Sequence, residues 1–316
     1  MRALNWNGSE FSLDPAYPTP AADDLSSLIR VRLAGICSTD LQILRGYMGF
    51  RGVLGHEMVG EVVEGPRELV GKRVVSEINF ACGRCESCGI GLGRHCPRRR
   101  VMGILGAGGS FAEYVAAPTE NLHLVPDGLS DEEAVFTEPL AAAFEILEQV
   151  ELNFSDEVLV LGDGKLGLLC AQALRLTGAR VSAVGKHEKK LAILKKLGIR
   201  ALPLSDWKPH PCDVVVEATG STSGLKIAID AVRPRGTLVL KSTLAHDHSL
   251  SLAPVVINEI TVVGSRCGPF PPALEALANK SISVTPLIEK VYPLNEGVEA
   301  VADAGRSGAL KVLLRP

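Results

Sequence analysis

The sequence predicts an α/β protein in which a mainly β, barrel-like domain comes before a doubly wound parallel sheet. Three observations carry this. Short strands broken by Gly and Pro fill the first 140 residues, strands and helices alternate afterwards, and a Gly-x-Gly-x-x-Gly turn joins the first strand and helix of the alternating part. At 316 residues the chain is too long for one small core and suits two domains.

Taken in order, IRVRLAG (29–35), GEVVEG (60–65) and GKRVVSEI (71–78) read as strands with turn residues between them. The character changes after Glu138-Pro139, where LAAAFEILEQV has helical spacing. Strands are expected at Glu157–Leu161, Arg180–Val184, Asp213–Glu217, Thr237–Lys241 and Thr261–Val263, with helices at Lys165–Leu176 and Glu188–Leu197. These strands are apolar, β-branched runs, which suit a parallel sheet buried on both faces. The tail from Val291 returns to a helix and a final strand. The domain limits expected are 1–142 for the β-rich part, 143–266 for the alternating part, and 267–316 for a return to the first.

An apolar content of 46% and a charged content of 22% are ordinary for a globular chain, so neither disorder nor a fibrous fold is indicated. A net charge of −3 gives no basic field, which argues against nucleic acid as a partner. Arg94, Arg98, Arg99 and Arg100 are local and lack interleaved aromatics, and read as a solvated face. The N-terminus MRALNWNGSEF has no long apolar stretch, and no segment approaches the roughly 20 apolar residues that span a bilayer. A cytoplasmic protein without membrane association is expected. Four of the eight cysteines fall within 15 residues, which in a reducing compartment points to metal rather than disulfides.

The segment VLVLGDGKLGLLCAQAL places Gly162, Gly164 and Gly167, with Lys165 and Leu166 between the last two, at a strand-to-helix turn. Glycines there permit a tight turn, close approach of backbone to a pyrophosphate, and close packing of helix on strand. A dinucleotide-binding Rossmann unit carries Asp or Glu at the end of its second strand for the ribose hydroxyls. Here that strand ends in Gly185-Lys186-His187, with no carboxylate to repel a 2′-phosphate and with Lys186 as a counter-charge. NADP is therefore expected over NAD. In the alternative, Lys186 and His187 are solvated, Glu188 reaches the ribose and NAD is used.

Cys82-x2-Cys85-x2-Cys88-x7-Cys96 supplies four thiolates at spacings that let a looping backbone aim them at one point, as in a closed structural zinc site. His95 is a possible substitute for a neighbour, although Cys96 fits better, and an iron–sulfur cluster is the minor alternative. A second set is dispersed: Cys37 in GICSTD, His56 and Glu57 in LGHEMVGEVV, and Glu138 in FTEPL. Individually each has a structural explanation. Together they offer sulfur, nitrogen and oxygen donors from three segments, a pattern suited to a catalytic zinc with one open position. Two zinc ions per chain follow.

The motifs GICSTD, GHExxGEVV, the four-cysteine loop, GSFAEY, EPL and GxGxxG occur in this order over nearly all the chain. In this it resembles the medium-chain dehydrogenase/reductase superfamily, specifically its zinc-containing alcohol and polyol dehydrogenase branch. The resemblance implies a GroES-like catalytic domain, a Rossmann domain, and an NAD(P)-linked alcohol dehydrogenase acting on a small alcohol, polyol or sugar, or the matching carbonyl compound. It also implies Cys37, His56 and Glu138 as zinc ligands, Glu57 as a ligand or outer-shell group, and Asp40 as the carboxylate that orients His56. Glu138, where ethanol-type enzymes carry Cys, resembles the polyol, glucose and threonine dehydrogenase group. A homodimer or homotetramer is expected.

In this scheme Thr39 passes the alcohol proton outward through its hydroxyl, the alternative being that it caps a helix. Two departures stand out. Gln42 occupies a position where the family often has a His that closes the proton relay, and the stretch between Asp40 and His56 is short. The short stretch leaves Tyr47, Met48 and Phe50 as candidate lining residues of a differently shaped pocket. Two competing readings remain: a zinc-free quinone or enoyl reductase of the same fold, and a non-catalytic nucleotide-binding descendant.

Overall fold

The computed structural model describes residues 1–242 and 250–316. The chain divides into two compact units. The first joins Met1–Glu138 to Ala273–Asn279 and Leu287–Pro316, and the second joins Pro139–Pro272 to Lys280–Pro286.

The first unit is organised by the ten-residue strand Ser26–Gly35. Ser27, Ile29, Val31 and Leu33 point inward while Arg30 and Arg32 face solvent, the period-two pattern of a half-buried strand. At Leu33–Gly35 the alternation stops and every residue is buried. The reason is that a strand is hydrogen-bonded on each side: this end pairs antiparallel with Glu57–Glu64 and with Lys311–Arg315. Near its start the strand pairs with Tyr114–Pro118 instead. Arg73–Ser76, Leu122–Leu124 and Ile288–Pro293 complete a seven-stranded sheet. Ile288–Pro293 runs parallel to Lys311–Arg315, and the helix Gly297–Ala304 lies between them in the chain. Each of the fully buried Ile29, Leu33 and Leu313 contributes roughly 1.5–3 kcal/mol by leaving water.

The second unit is a six-stranded, wholly parallel sheet. Its spatial order is Arg200–Pro203, Arg180–Gly185, Glu157–Leu161, Cys212–Glu217, Val232–Leu240, Thr261–Gly264. Numbered by their place in the chain these strands run 3-2-1-4-5-6, the doubly wound order. Leu159, Leu161, Val215, Ile229 and Leu238 form its core. The direction of winding reverses at Glu157–Leu161, and in open parallel sheets ligands bind beyond the carboxyl ends of the strands at that reversal. The glycine-rich turn is there.

Among the elements that escaped sequence reading are two of this unit. The strand Arg200–Pro203 is short and ends in Pro, and the helix Thr222–Ala231 starts in a polar Ser/Thr run. That run is its cap: the Ser221 hydroxyl accepts the Gly224 N–H at 3.1 Å. Among the described residues no helix is long and apolar enough to cross a membrane.

Candidate active site and metal centres

Cys37 is the N-cap of the short helix Ser38–Ile43. Its Sγ accepts the Thr39 N–H at 3.5 Å, and Asp40 Oδ2 accepts the Cys37 N–H at 2.8 Å. This reciprocal capping box starts the helix and also fixes the sulfur. The cap is Cys37, so Thr39 is not a cap; its hydroxyl lies 3.6 Å from the Cys37 sulfur.

Register supplies the rest. Gly35 pairs with Glu57, so His56 and Glu57, twenty residues downstream, arrive beside Cys37. Donor atoms of Cys37, His56 and Glu57 lie within 4.8 Å of one another. Asp40 is wholly buried, and its Oδ1 faces His56 Nδ1 at 3.2 Å. Burial alone would depress the imidazole, but Asp40 and Cys37 outweigh it and hold His56 well above its ordinary value. With Nδ1 turned to Asp40, Nε2 is the nitrogen left for a ligand.

Sequence reading missed Lys311. The strand register brings it to Glu57, where Nζ donates to both carboxylate oxygens, to Oε1 at 2.6 Å. Both side chains are buried to within 2%. Burial alone would lower the ammonium, yet the Glu57 charge outweighs it and keeps Lys311 above the usual lysine value. Glu57 occupies its place because residue 35 is glycine: a Cβ there would stand 2.1 Å from Glu57 Oε2. The available signal was a single Lys inside the apolar run GALKVLL.

Glu138 is in the first turn of the helix Thr137–Gln149 and is half-buried. Its carboxylate is not among the atoms grouped within 4.8 Å around Cys37, although its charge acts on Lys311. Gln42 is half-buried on the helix Ser38–Ile43. Of the candidate lining residues Phe50 is buried, Tyr47 half-buried and Met48 exposed. Met48 has a φ of 62°, a left-handed conformation uncommon for a side chain of its size.

Cys82, Cys85, Cys88 and Cys96 converge, all four sulfurs within 4.8 Å of one another and Cys85 3.4 and 3.7 Å from Cys88 and Cys96. Thiolates at Zn–S bonds of about 2.3 Å in a tetrahedron stand roughly 3.8 Å apart, so the loop is spaced for that ion. Cys96 is buried inside the group while His95 is exposed. A backbone N–H from Arg84 lowers the Cys82 thiol to about 6, and burial with its sulfur neighbours pushes Cys88 up to about 11. The arginine run is more than a solvated face. Arg98 bonds to Cys82, and Arg99 donates to the Cys96 carbonyl at 3.1 Å. Four thiolates around one divalent ion leave an excess of negative charge, which these cations offset.

In the second unit, Gly162 (φ 117°) approaches the Ala218 carbonyl so closely that a Cβ would stand 2.5 Å from its oxygen. Gly167 packs its helix on the strand in the same way, a Cβ there falling 2.0 Å from the Gly162 oxygen. In front of Gly164, the N-cap of the helix Lys165–Arg175, lies open space, with no atom within 4 Å of a built Cβ. An exposed helix start with a side-chain-free approach fits a pyrophosphate. Lys165 and Leu166 form the first turn of that helix. Gly185, Lys186 and His187 follow at the end of the neighbouring strand Arg180–Gly185. The expectation that no carboxylate stands there does not hold. Asp163, inside the glycine-rich turn, reaches across and accepts the N–H groups of Lys186 and His187. The acid was sought on the strand itself, and parallel pairing supplies it from the turn that follows the adjacent strand Glu157–Leu161.

A parallel nucleotide-binding sheet, a four-thiolate centre and a Cys–His–Glu cluster together define a nucleotide-linked metalloenzyme. Comparison with known proteins agrees. Residues 23–127 match the alcohol dehydrogenase GroES-like domain, and residues 166–280 match the zinc-binding dehydrogenase family. The sorbitol dehydrogenase of Halalkalibacterium halodurans is 32% identical, over 95% of this chain and 93% of that protein. A putative zinc-binding dehydrogenase of Sinorhizobium meliloti 1021, solved bound to NADP, superposes with a TM-score of 0.91 at 27% identity, covering 100% and 99% of the two chains. An alcohol dehydrogenase of E. coli CFT073, solved with NADH, gives 0.91 at 25% with the same coverage. The chain belongs to the zinc-containing medium-chain dehydrogenase/reductase family, in its alcohol and polyol dehydrogenase branch. It is an oxidoreductase that works with zinc and a nicotinamide dinucleotide.

Proposed function

We propose that the enzyme oxidises a polyol or sugar alcohol to the carbonyl compound, or runs the reverse, at Cys37, His56 and Glu138. The observation that carries this is the Cys37–His56–Glu57 cluster, half-buried at Cys37 and buried at His56 and Glu57, with Asp40 behind His56 and Thr39 beside Cys37. When bound, the metal supplies Lewis acidity that makes an alcohol more acidic, and the dinucleotide supplies the hydride acceptor. Cys37 and His56 would hold the metal by Sγ and Nε2. Lys311 retains Glu57 in a buried ion pair, so Glu138 takes the third place and Glu57 shapes the charge behind it. The Thr39 hydroxyl accepts the alcohol proton and, because Gln42 does not titrate, passes it to water. Support for a polyol comes from Glu138 and from the sorbitol dehydrogenase relative. Polyols, sugars and simple alcohols offered with both nucleotides should show kcat/KM at least about tenfold higher for a polyol, one decade being about 1.4 kcal/mol of barrier. Preference for a simple primary alcohol removes the reading.

The second zinc belongs to Cys82, Cys85, Cys88 and Cys96, and is structural. Metal analysis should find two zinc ions per chain, and one in Cys88→Ser. That variant should melt well below wild type while its surviving fraction keeps its turnover, since a structural zinc contributes folding energy directly. Unchanged melting with unchanged zinc content contradicts the assignment.

The assembly proposed is a homodimer or homotetramer. The strand Thr261–Gly264 ends its sheet with no partner beyond it among the described residues, and Val262, Val256 and Ile257 are exposed there. An uncharged sheet edge among exposed apolar side chains is a surface that another copy can cover. Light scattering should therefore report at least twice the chain mass; a monomer at micromolar concentration refutes it.

A further inference from the structure

The general rule places the acid that binds the adenosine ribose at the end of the second strand, and in this chain Gly185 stands there. The carboxylate at that place comes from Asp163. Its Oδ2 accepts the Lys186 N–H at 2.8 Å and the His187 N–H at 2.5 Å, and lies 3.1 Å from His187 Nδ1. A Cβ on Gly185 would fall 2.4 Å from the Asp163 Cβ and 2.6 Å from its Oδ2. The strand end has room for one carboxylate and receives it from the neighbouring turn.

We propose that Asp163 decides cofactor choice: it stands in for the strand-end acid, accepts the ribose hydroxyls and rejects a 2′-phosphate, so that the enzyme uses NAD rather than NADP. The inference rests on the dinucleotide-binding reading of the second unit. Two backbone N–H groups and a histidine at the strand end are the donors that a phosphate would need, and an internal carboxylate already holds them. Burial alone would raise the Asp163 carboxyl, but the His187 N–H, its ring and the charge of Lys190 outweigh this and keep it below the usual value. It is therefore ionised at neutral pH, and a phosphate dianion brought to the same donors meets like charge in a buried setting. Glu188, the other acid nearby, is committed on the helix surface to Lys195 at 2.5 Å. Lys186 remains exposed and is the rival determinant, since its ammonium attracts a 2′-phosphate.

Dissociation constants of NAD and NADP, measured by calorimetry on the intact zinc-loaded enzyme, test this without reference to turnover. Wild type should bind NAD about ten- to a hundredfold tighter than NADP, the range for one hydrogen bond to a charged group. Asp163→Asn keeps an acceptor for both N–H groups but removes the charge, and should shift the ratio towards NADP by at least about tenfold. Asp163→Gly with Gly185→Asp moves the acid to the strand and should restore NAD. Wild type binding NADP as tightly as NAD, or an unchanged ratio in Asp163→Asn, overturns the proposal and leaves the dehydrogenase reading standing. Binding of neither nucleotide to wild type overturns both.

Discussion

Replacing His56 or Cys37 by alanine should lower kcat by at least about a thousandfold, because a Lewis acid stabilises transition-state charge by several kcal/mol and each 1.4 kcal/mol is about tenfold in rate. Nicotinamide nucleotide should bind these variants as it binds wild type. The glycine-rich turn belongs to the second unit, and both residues belong to the first. The cluster is closely interlocked, since Asp40 bonds the Cys37 backbone and faces the His56 ring, so each variant removes a donor from a fixed arrangement. Titration calorimetry and zinc content, measured beside initial rates, separate loss of metal from loss of fold. A zinc-depleted variant that retains more than about a tenth of wild-type kcat, roughly 1.4 kcal/mol of barrier, favours a reductase that needs no metal.

The second large effect is expected on stability. Lys311→Met leaves the Glu57 side chain without its partner in a fully buried place, and removing one partner of a buried ion pair costs about 3–5 kcal/mol. For a unit of this size that lowers the melting temperature by on the order of 10 °C. The double variant Lys311→Met with Glu57→Gln should recover part of the loss, since no buried charge is then left uncompensated. A single variant within about 1 kcal/mol of wild type, or a double variant no more stable than the single, shows that the pair is not what holds this strand end together. The Gly35 position gives an independent check. Gly35→Ala pushes a methyl group onto the Glu57 carboxylate and should destabilise the same unit.

Local chemistry was legible from the sequence wherever the partners are close in the chain. The four cysteines lie within 15 residues, so their convergence needs only a folded loop. The glycine-rich turn announces itself through an apolar strand before it and a helix after it. The strands of the second unit are legible because burial on both faces demands continuous Val, Leu and Ile. Arg200–Pro203 was not, since four residues ending in Pro carry too little pattern.

Sequence by itself determined the fold class, the cysteine centre, the nucleotide-binding turn and the Cys37, His56 and Glu57 set. Each is written as residue type and spacing, and the physics that reads them acts over one loop or one strand. Tertiary structure alone decided the neighbours of those residues. Lys311 meets Glu57 across the intervening strand Ser26–Gly35, some 250 residues apart in the chain, and Asp163 meets Lys186 and His187 from the glycine-rich turn, about 23 residues apart. Neither pairing has a local signature, because the order in which strands assemble decides which distant residues meet. The result is that a carboxylate absent from one strand end in the sequence is present there in space.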